Sequence, residues 1–195
     1  MSVRQNQVQE QAIREVLMAF QSGGVNTWLL GGWGIDALLR HVSREHEDID
    51  LIAALEDRKR VRMAVRSLAD RIGGDTDVEL HFFQKGVRAE VVYFYRLPEG
   101  LLVSDLDSSD PCIYAWPPES FPEETNGELF GMACRAITWE AQYVAKAGYS
   151  YYKKGCPLRD KDREDLDVIR KHLRPGAEDE LRRYFPGIPR QAQGR

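Results

Sequence analysis

The chain has no run of 18 or more apolar residues, so no segment is built to cross a bilayer as a helix. Its three cysteines, Cys112, Cys134 and Cys156, are odd in number and far apart. That spacing speaks against a disulfide framework or a short metal knuckle and fits reduced thiols. A basic excess is also missing: 27 Lys and Arg stand against 31 Asp and Glu, for a formal net charge of -4. A protein that holds long nucleic acid by neutralising phosphates needs a basic face or arm, so no such partner is expected. The opening segment MSVRQNQVQEQAIREV lacks the basic start, apolar centre and small-residue cleavage site of a signal peptide. A cytoplasmic location without a membrane partner is therefore expected, and no internal repeat is visible.

What is present suffices for a packed core: 43% of the 195 residues are apolar and four are Trp. Val8, Ala12, Ile13, Val16, Leu17 and Phe20 recur at helical spacing until SGG at 22–24 ends the pattern. The run VNTWLL then meets GGWG and the periodic piece IDALL, which reads as strand, glycine turn and a helix beginning near Trp33. DIDLIA is the next strand. Val61, Val65, Leu68 and Ile72 predict a third helix closed by Gly73 and Gly74. VELHFFQ and VRAEVVYFY, separated by Lys85 and Gly86, predict a hairpin. Residues 101–130, rich in Pro, Ser and acids, are expected to be an irregular acidic linker with one short strand. Residues 131–185 read as helical, with Thr138 as N-cap and Leu166, Ile169 and Leu173 on one stripe, and 186–195 read as a flexible tail.

Of the D-x-D pairs in this acid-rich chain, the one at Asp48 and Asp50 stands apart. Burying a carboxylate is costly unless it is paired or binds a cation. Positions i and i+2 share one face of a strand but point apart on a helix, which sets aside Asp160/Asp162 and Asp165/Asp167. Asp105/Asp107 lies in a Ser-rich loop and Asp75/Asp77 follows the Gly-Gly turn. Asp48 and Asp50 sit in a strand whose Ile49 and Leu51 face the other way, and two carboxylates about 7 Å apart on one face can ligate Mg2+. Gly31 and Gly32 let backbone approach an anion closely, and the following helix aims its positive end at the same spot. Glu90, embedded in VVYF, faces the same burial problem as the aspartates. It is placed to accept a proton from a hydroxyl or to complete a ligand set, the plain alternative being a pair with Arg88 on its own strand face.

The stretch TWLLGGWGIDALLRHVSREHEDIDLI, followed by VRAEVVYF, AITWEAQYVAKAGY and KDREDL, resembles the small antibiotic nucleotidyltransferases. The likeness is to the lincosamide nucleotidyltransferases and aminoglycoside 2″-adenylyltransferases of the polymerase-β-like superfamily. It covers about half the chain in order. It implies an α+β fold, a mixed sheet flanked by helices, with a C-terminal helical region. It also implies Mg2+-dependent transfer of a nucleoside monophosphate, AMP from ATP or the corresponding group of another NTP, to a hydroxyl of a cationic antibiotic. Carried over, Asp48 and Asp50 are metal ligands for two Mg2+ ions, and Glu90 is the third ligand or general base. Gly31 and Gly32 form the phosphate loop, Arg44 and Lys161 contact phosphates, and His46 orients its loop.

Two departures stand out. Glu replaces the usual Asp at position 90, which displaces a base by more than about 1 Å. The linker from 97 to 130 resembles neither subgroup closely. Residues 1–100 are then a nucleotidyltransferase domain and the acidic 101–130 linker lines an acceptor pocket, attracting a cationic substrate. The alternatives are a nucleotidyltransferase-fold protein acting on a protein partner, as an antitoxin does, a non-catalytic small-molecule binding domain, and a metal-dependent phosphohydrolase. Oligomeric state is left open.

Overall fold

The computed structural model describes residues 3–106, 110–153 and 156–190. Asp107 and the last five residues of the expected tail lie outside them. The chain runs α1 (Val3–Ser22), β1 (Thr27–Leu30), α2 (Gly31–Leu39), β2 (Asp48–Ala54), α3 (Arg58–Leu68), β3 (Arg71–Asp75), β4 (Glu79–Gln84) and β5 (Val87–Arg96). It continues with β6 (Leu102–Ser104), β7 (Cys112–Ala115), β8 (Gly127–Leu129), β9 (Met132–Cys134), α4 (Trp139–Ala147), α5 (Tyr149–Tyr152), α6 (Asp160–Arg170), α7 (Ala177–Leu181) and β10 (Ile188–Pro189). The fold is α+β, with a mixed sheet in the order β1-β2-β5-β6-β7-β10. β2 and β5 pair in parallel, while β4 and β6 follow one another along the other edge of β5.

Strand alternation decides where chemistry can sit. Ile49 and Leu51 of β2, Ala89 and Val91 of β5 and Leu80 and Phe82 of β4 face α1 and α3, where they join Ile13, Val16, Phe20, Val61 and Val65 in one core. Burial of each large side chain there is worth about 1.5–3 kcal/mol, which fixes the register and forces Asp48, Asp50 and Glu90 onto the opposite face. A second core joins Ile35, Val103, Tyr143, Val144, Leu166 and Ile169 and docks the C-terminal helices on the sheet.

Three expectations need correction. Helix α3 stops at Leu68, and Ile72, Gly73 and Gly74 lie in strand β3 against β4. Helical spacing ran on to Ile72, but two glycines weaken a helix and the edge of β4 was free to pair, with the Asp70 N–H donating to the Phe83 carbonyl at 2.9 Å. Residues 101–130 hold three short strands, of which β6 and β7 extend the main sheet, because Val103, Ile113 and Ala115 bury side chains against the helices. Ile188 and Pro189, expected in the tail, pair with Ile113 and Cys112 of β7. The hairpin turn at Lys85 and Gly86 is as expected, both residues having positive φ. Thr138 caps α4 by accepting the Ala141 N–H.

Candidate active site

Strand β1 passes into α2 without a loop. Leu30 is extended, and Gly31 at φ 65° is already the first helical residue, two positions before the start expected near Trp33. Three glycines make this possible. A Cβ on Gly31 would stand 2.6 Å from Asp50 Oδ2, and one on Gly32 would stand 2.2 Å from His46 Nδ1. A Cβ on Gly34 would meet Gln142 Nε2 at 2.2 Å and the Leu29 carbonyl at 2.7 Å. The start of α2 is thereby wedged between the acid strand, the loop before it and α4. The Gly31 N–H donates to Gln142 Oε1 at 3.1 Å, so α4 holds this turn directly.

The loop that delivers β2 is fastened by a buried pair. His46 Nε2 lies 2.5 Å from Asp36 Oδ2, and the other oxygen of Asp36 accepts the Ser43 N–H and hydroxyl. Both Asp36 and His46 are buried, and their pair is a structural lock on the loop.

On the open face of the sheet, strand register sets Asp50 beside Glu90 and Glu90 beside His81, with Asp48 beside Arg88. Burial, then the charges of Asp48 and Glu90, push the Asp50 carboxyl up to about 7, while Lys146 and Arg88 oppose the rise. Glu90 is also raised, by burial first, although His81 pulls it down. Its carboxylate lies 3.0 Å from Arg88 Nη2 and 3.4 Å from His81 Nδ1. Among the described residues, Glu79, His81 and Glu90 form a group whose ligating atoms lie within 4.8 Å of one another. Asp48, Asp50 and Glu90 share the face more loosely. Their donors are all oxygen, which suits a hard divalent cation, and the Asp50 carboxyl is raised by burial first and then by the charges of Asp48 and Glu90.

Facing these acids is a cationic wall in which Arg44 is as expected, while Lys146 and Arg159 have no counterpart among the sequence expectations. Arg44 forks onto Asp165 at 2.9 and 2.8 Å, and Lys146 lies 3.0 Å from Asp162 and 2.8 Å from Asp165. Arg159 binds Asp162 at 2.7 Å. Burial works to raise Asp162, but hydrogen bonds from Arg159 and Lys146 outweigh it and hold the carboxyl down to about 2. Asp162 and Asp165 belong to the D-x-D pairs set aside above. At i and i+3 they share the buried stripe of α6 with Leu166 and Ile169, and that spacing was the readable signal. Lys161 is less enclosed and pairs with Glu47 at 2.7 Å.

All of Gly31, Gly32, Arg44, Asp48, Asp50, Glu90 and Lys161 line one cavity of about 420 Å³. Its third side is aromatic, from Tyr114, Trp116, Tyr149, Tyr152 and Phe185. From residues 101–130 the lining takes Leu106, Tyr114, Ala115 and Trp116, so among the described residues the acids of that segment do not face the cavity. Asp110 instead accepts the Tyr114 hydroxyl at 2.7 Å, and Asp105 pairs with Arg190. No helix among the described residues is long and apolar enough to cross a membrane.

A glycine-started helix stands beside strand-borne acids with cations opposite, and the relatives of the chain show its class, a nucleotidyltransferase. The chain belongs to the aminoglycoside-2″-adenylyltransferase family, whose model matches residues 12–169. A 2″-aminoglycoside nucleotidyltransferase of Klebsiella pneumoniae is 28% identical over 169 residues, 81% of this chain and 82% of that protein. The crystal structure of ANT(2″)-Ia in complex with adenylyl-2″-tobramycin superposes with a TM-score of 0.73 at 26% identity, covering 91% of this chain and 96% of the other. The lincosamide antibiotic adenylyltransferase LnuA, lincomycin-bound, shares the fold at 19% identity with a TM-score of 0.63, covering 84% of this chain and 97% of the other.

Proposed function

We propose that the protein moves AMP from ATP to a hydroxyl of an aminoglycoside antibiotic, in the cytoplasm, with release of pyrophosphate. One observation carries the reading: the acid face of β2 and β5, the helix start at Gly31 and the cationic wall converge on a single cavity in a chain of this family. The relatives named for aminoglycosides match along most of the chain, and Glu79 and Glu90 offer carboxylates to a cationic acceptor. Asp48 and Asp50 are the residues we assign to hold Mg2+, two ions in this reading. Bound there, Mg2+ neutralises phosphate charge and polarises the phosphoryl group under attack.

The chain's own groups do the rest. Glu90, raised above an ordinary carboxyl, takes the proton of the acceptor hydroxyl as its oxygen bonds to the α-phosphorus and the bond to the β-phosphate oxygen breaks. Arg88 and His81 already occupy part of its carboxylate, which leaves Glu90 less free to act as a metal ligand. Gly31 and Gly32 bring the start of α2 to the phosphates, and Arg44 and Lys161 stand on their far side. Residues 1–100 then carry the nucleotide chemistry, 101–130 supply an acceptor wall and 131–185 close the site.

The aromatic side favours one second reading, a lincosamide acceptor, since Tyr114, Trp116 and Tyr149 suit a ligand with an apolar face. Pyrophosphate release with Mg2+ and each NTP, across aminoglycosides and lincosamides and beside Asp50→Asn, separates the two. Release that depends on aminoglycosides and is lost in the variant is the expected result. Release with lincosamides alone selects the second reading, and a wild-type protein that releases nothing with either class overturns both.

A further inference from the structure

Helix α4 carries two polar side chains one turn apart toward the site. Gln142 binds the Gly31 N–H, and Lys146 enters the cavity. The Lys146 side chain is only 12% exposed, and a lysine is seldom so enclosed without a task. Its ammonium has three donors. Two are met by Asp162 and Asp165, and the third has no partner among the described residues. Those acids are themselves shared with Arg159 and Arg44, so three cations divide two carboxylates and the wall keeps a positive excess toward the cavity.

Resting on the nucleotidyl-transfer reading above, we infer that Lys146 contacts the β- and γ-phosphates of the nucleotide and carries the charge of the departing pyrophosphate. Asp162 and Asp165 are the positioning residues that hold it there. The carboxylates fix the ammonium between two anchors on α6, so its free N–H is oriented before a nucleotide arrives. Arg44, forked on the same Asp165, is held by the same anchor, which ties the loop before β2 to the C-terminal helices.

Equilibrium binding tests this on the full chain with Mg2+, using inorganic pyrophosphate, ATP and AMP as probes. Lys146→Met is expected to weaken pyrophosphate and ATP by roughly tenfold or more and to leave AMP within about twofold. Lys146→Arg is expected to recover most of the loss. Asp165→Asn is expected to show the same split more weakly, with the deficit in kcat as well as in KM for ATP. Should Lys146→Met fail to fold, Lys146→Gln, which keeps a donor toward Asp162, reads the same difference. Pyrophosphate binding unchanged in a folded variant overturns the inference, and so does an equal loss for AMP, which marks a purely structural residue. A wild-type chain that binds neither ATP nor pyrophosphate overturns instead the reading beneath it.

Discussion

Oδ2 of Asp50 lies 2.6 Å from the point where a Cβ on Gly31 would stand, so the helix start and the acid strand touch with no room for a side chain between them. Gly31→Ala therefore has two faults, a positive φ that L-residues resist and a collision with a site carboxylate. The expected outcome is destabilisation by about 1–3 kcal/mol in urea titration and a loss of turnover of roughly a hundredfold, larger than the stability change explains.

Asp50 also sets a pH dependence. Its folded-state carboxyl titrates near 7, above its ordinary value of 3.8, so between about pH 4 and 7 the folded protein binds more protons than the unfolded chain. Metal-free stability should fall as pH rises through that window, by the order of a few kcal/mol, and Asp50→Asn should flatten the slope. Thermal melts of both proteins in EDTA check this. Added Mg2+ should raise the wild-type melting temperature more at pH 8 than at pH 5.5.

The Asp36 lock predicts a different profile. Asp36→Ala leaves His46 and the Ser43 hydroxyl without their buried acceptor, at a cost of about 1–3 kcal/mol. Because the loop it fastens carries Arg44 and leads into β2, KM for ATP should rise with the loss of stability. A stable variant with unchanged kinetics would sink the idea.

Lys161 separates contact from decoration. Its pair with the exposed Glu47 is worth under about 1 kcal/mol, so Lys161→Ala should melt close to wild type. If Lys161 reaches phosphate, KM for ATP rises several-fold at low salt and the difference shrinks at high salt. Identical KM values assign it to the surface.

The aromatic side is expected to govern the acceptor. Tyr149→Ala should raise KM for the antibiotic by roughly three- to tenfold while KM for ATP stays put, as lost apolar contact predicts. Initial rates with each substrate varied in turn provide the comparison.

Much of this site was legible because its signals are local. Two-residue alternation in DIDLI places both aspartates opposite Ile49 and Leu51, and the glycines of GGWG mark a close backbone approach, which the structure places in the first turn of α2. The Lys85 and Gly86 turn fixes the hairpin that brings Glu90 onto the same sheet. The misreadings were local as well: helical spacing ran past Leu68 because periodicity alone does not register that β4 had an unpaired edge.

The sequence by itself determined which side chains could share a face, since the periods of strand and helix depend only on neighbouring residues. Tertiary structure alone decided what meets that face. Arg44 and Asp165 stand 121 positions apart, and their pairing depends on how the second core docks α6 against the sheet. The same docking sets Lys146 across from Asp50 and lets the acids of α6 gather Arg44, Lys146 and Arg159 into the cationic wall of the cavity. No local pattern encodes such contacts, because their energy comes from the closure of distant segments around a shared apolar core.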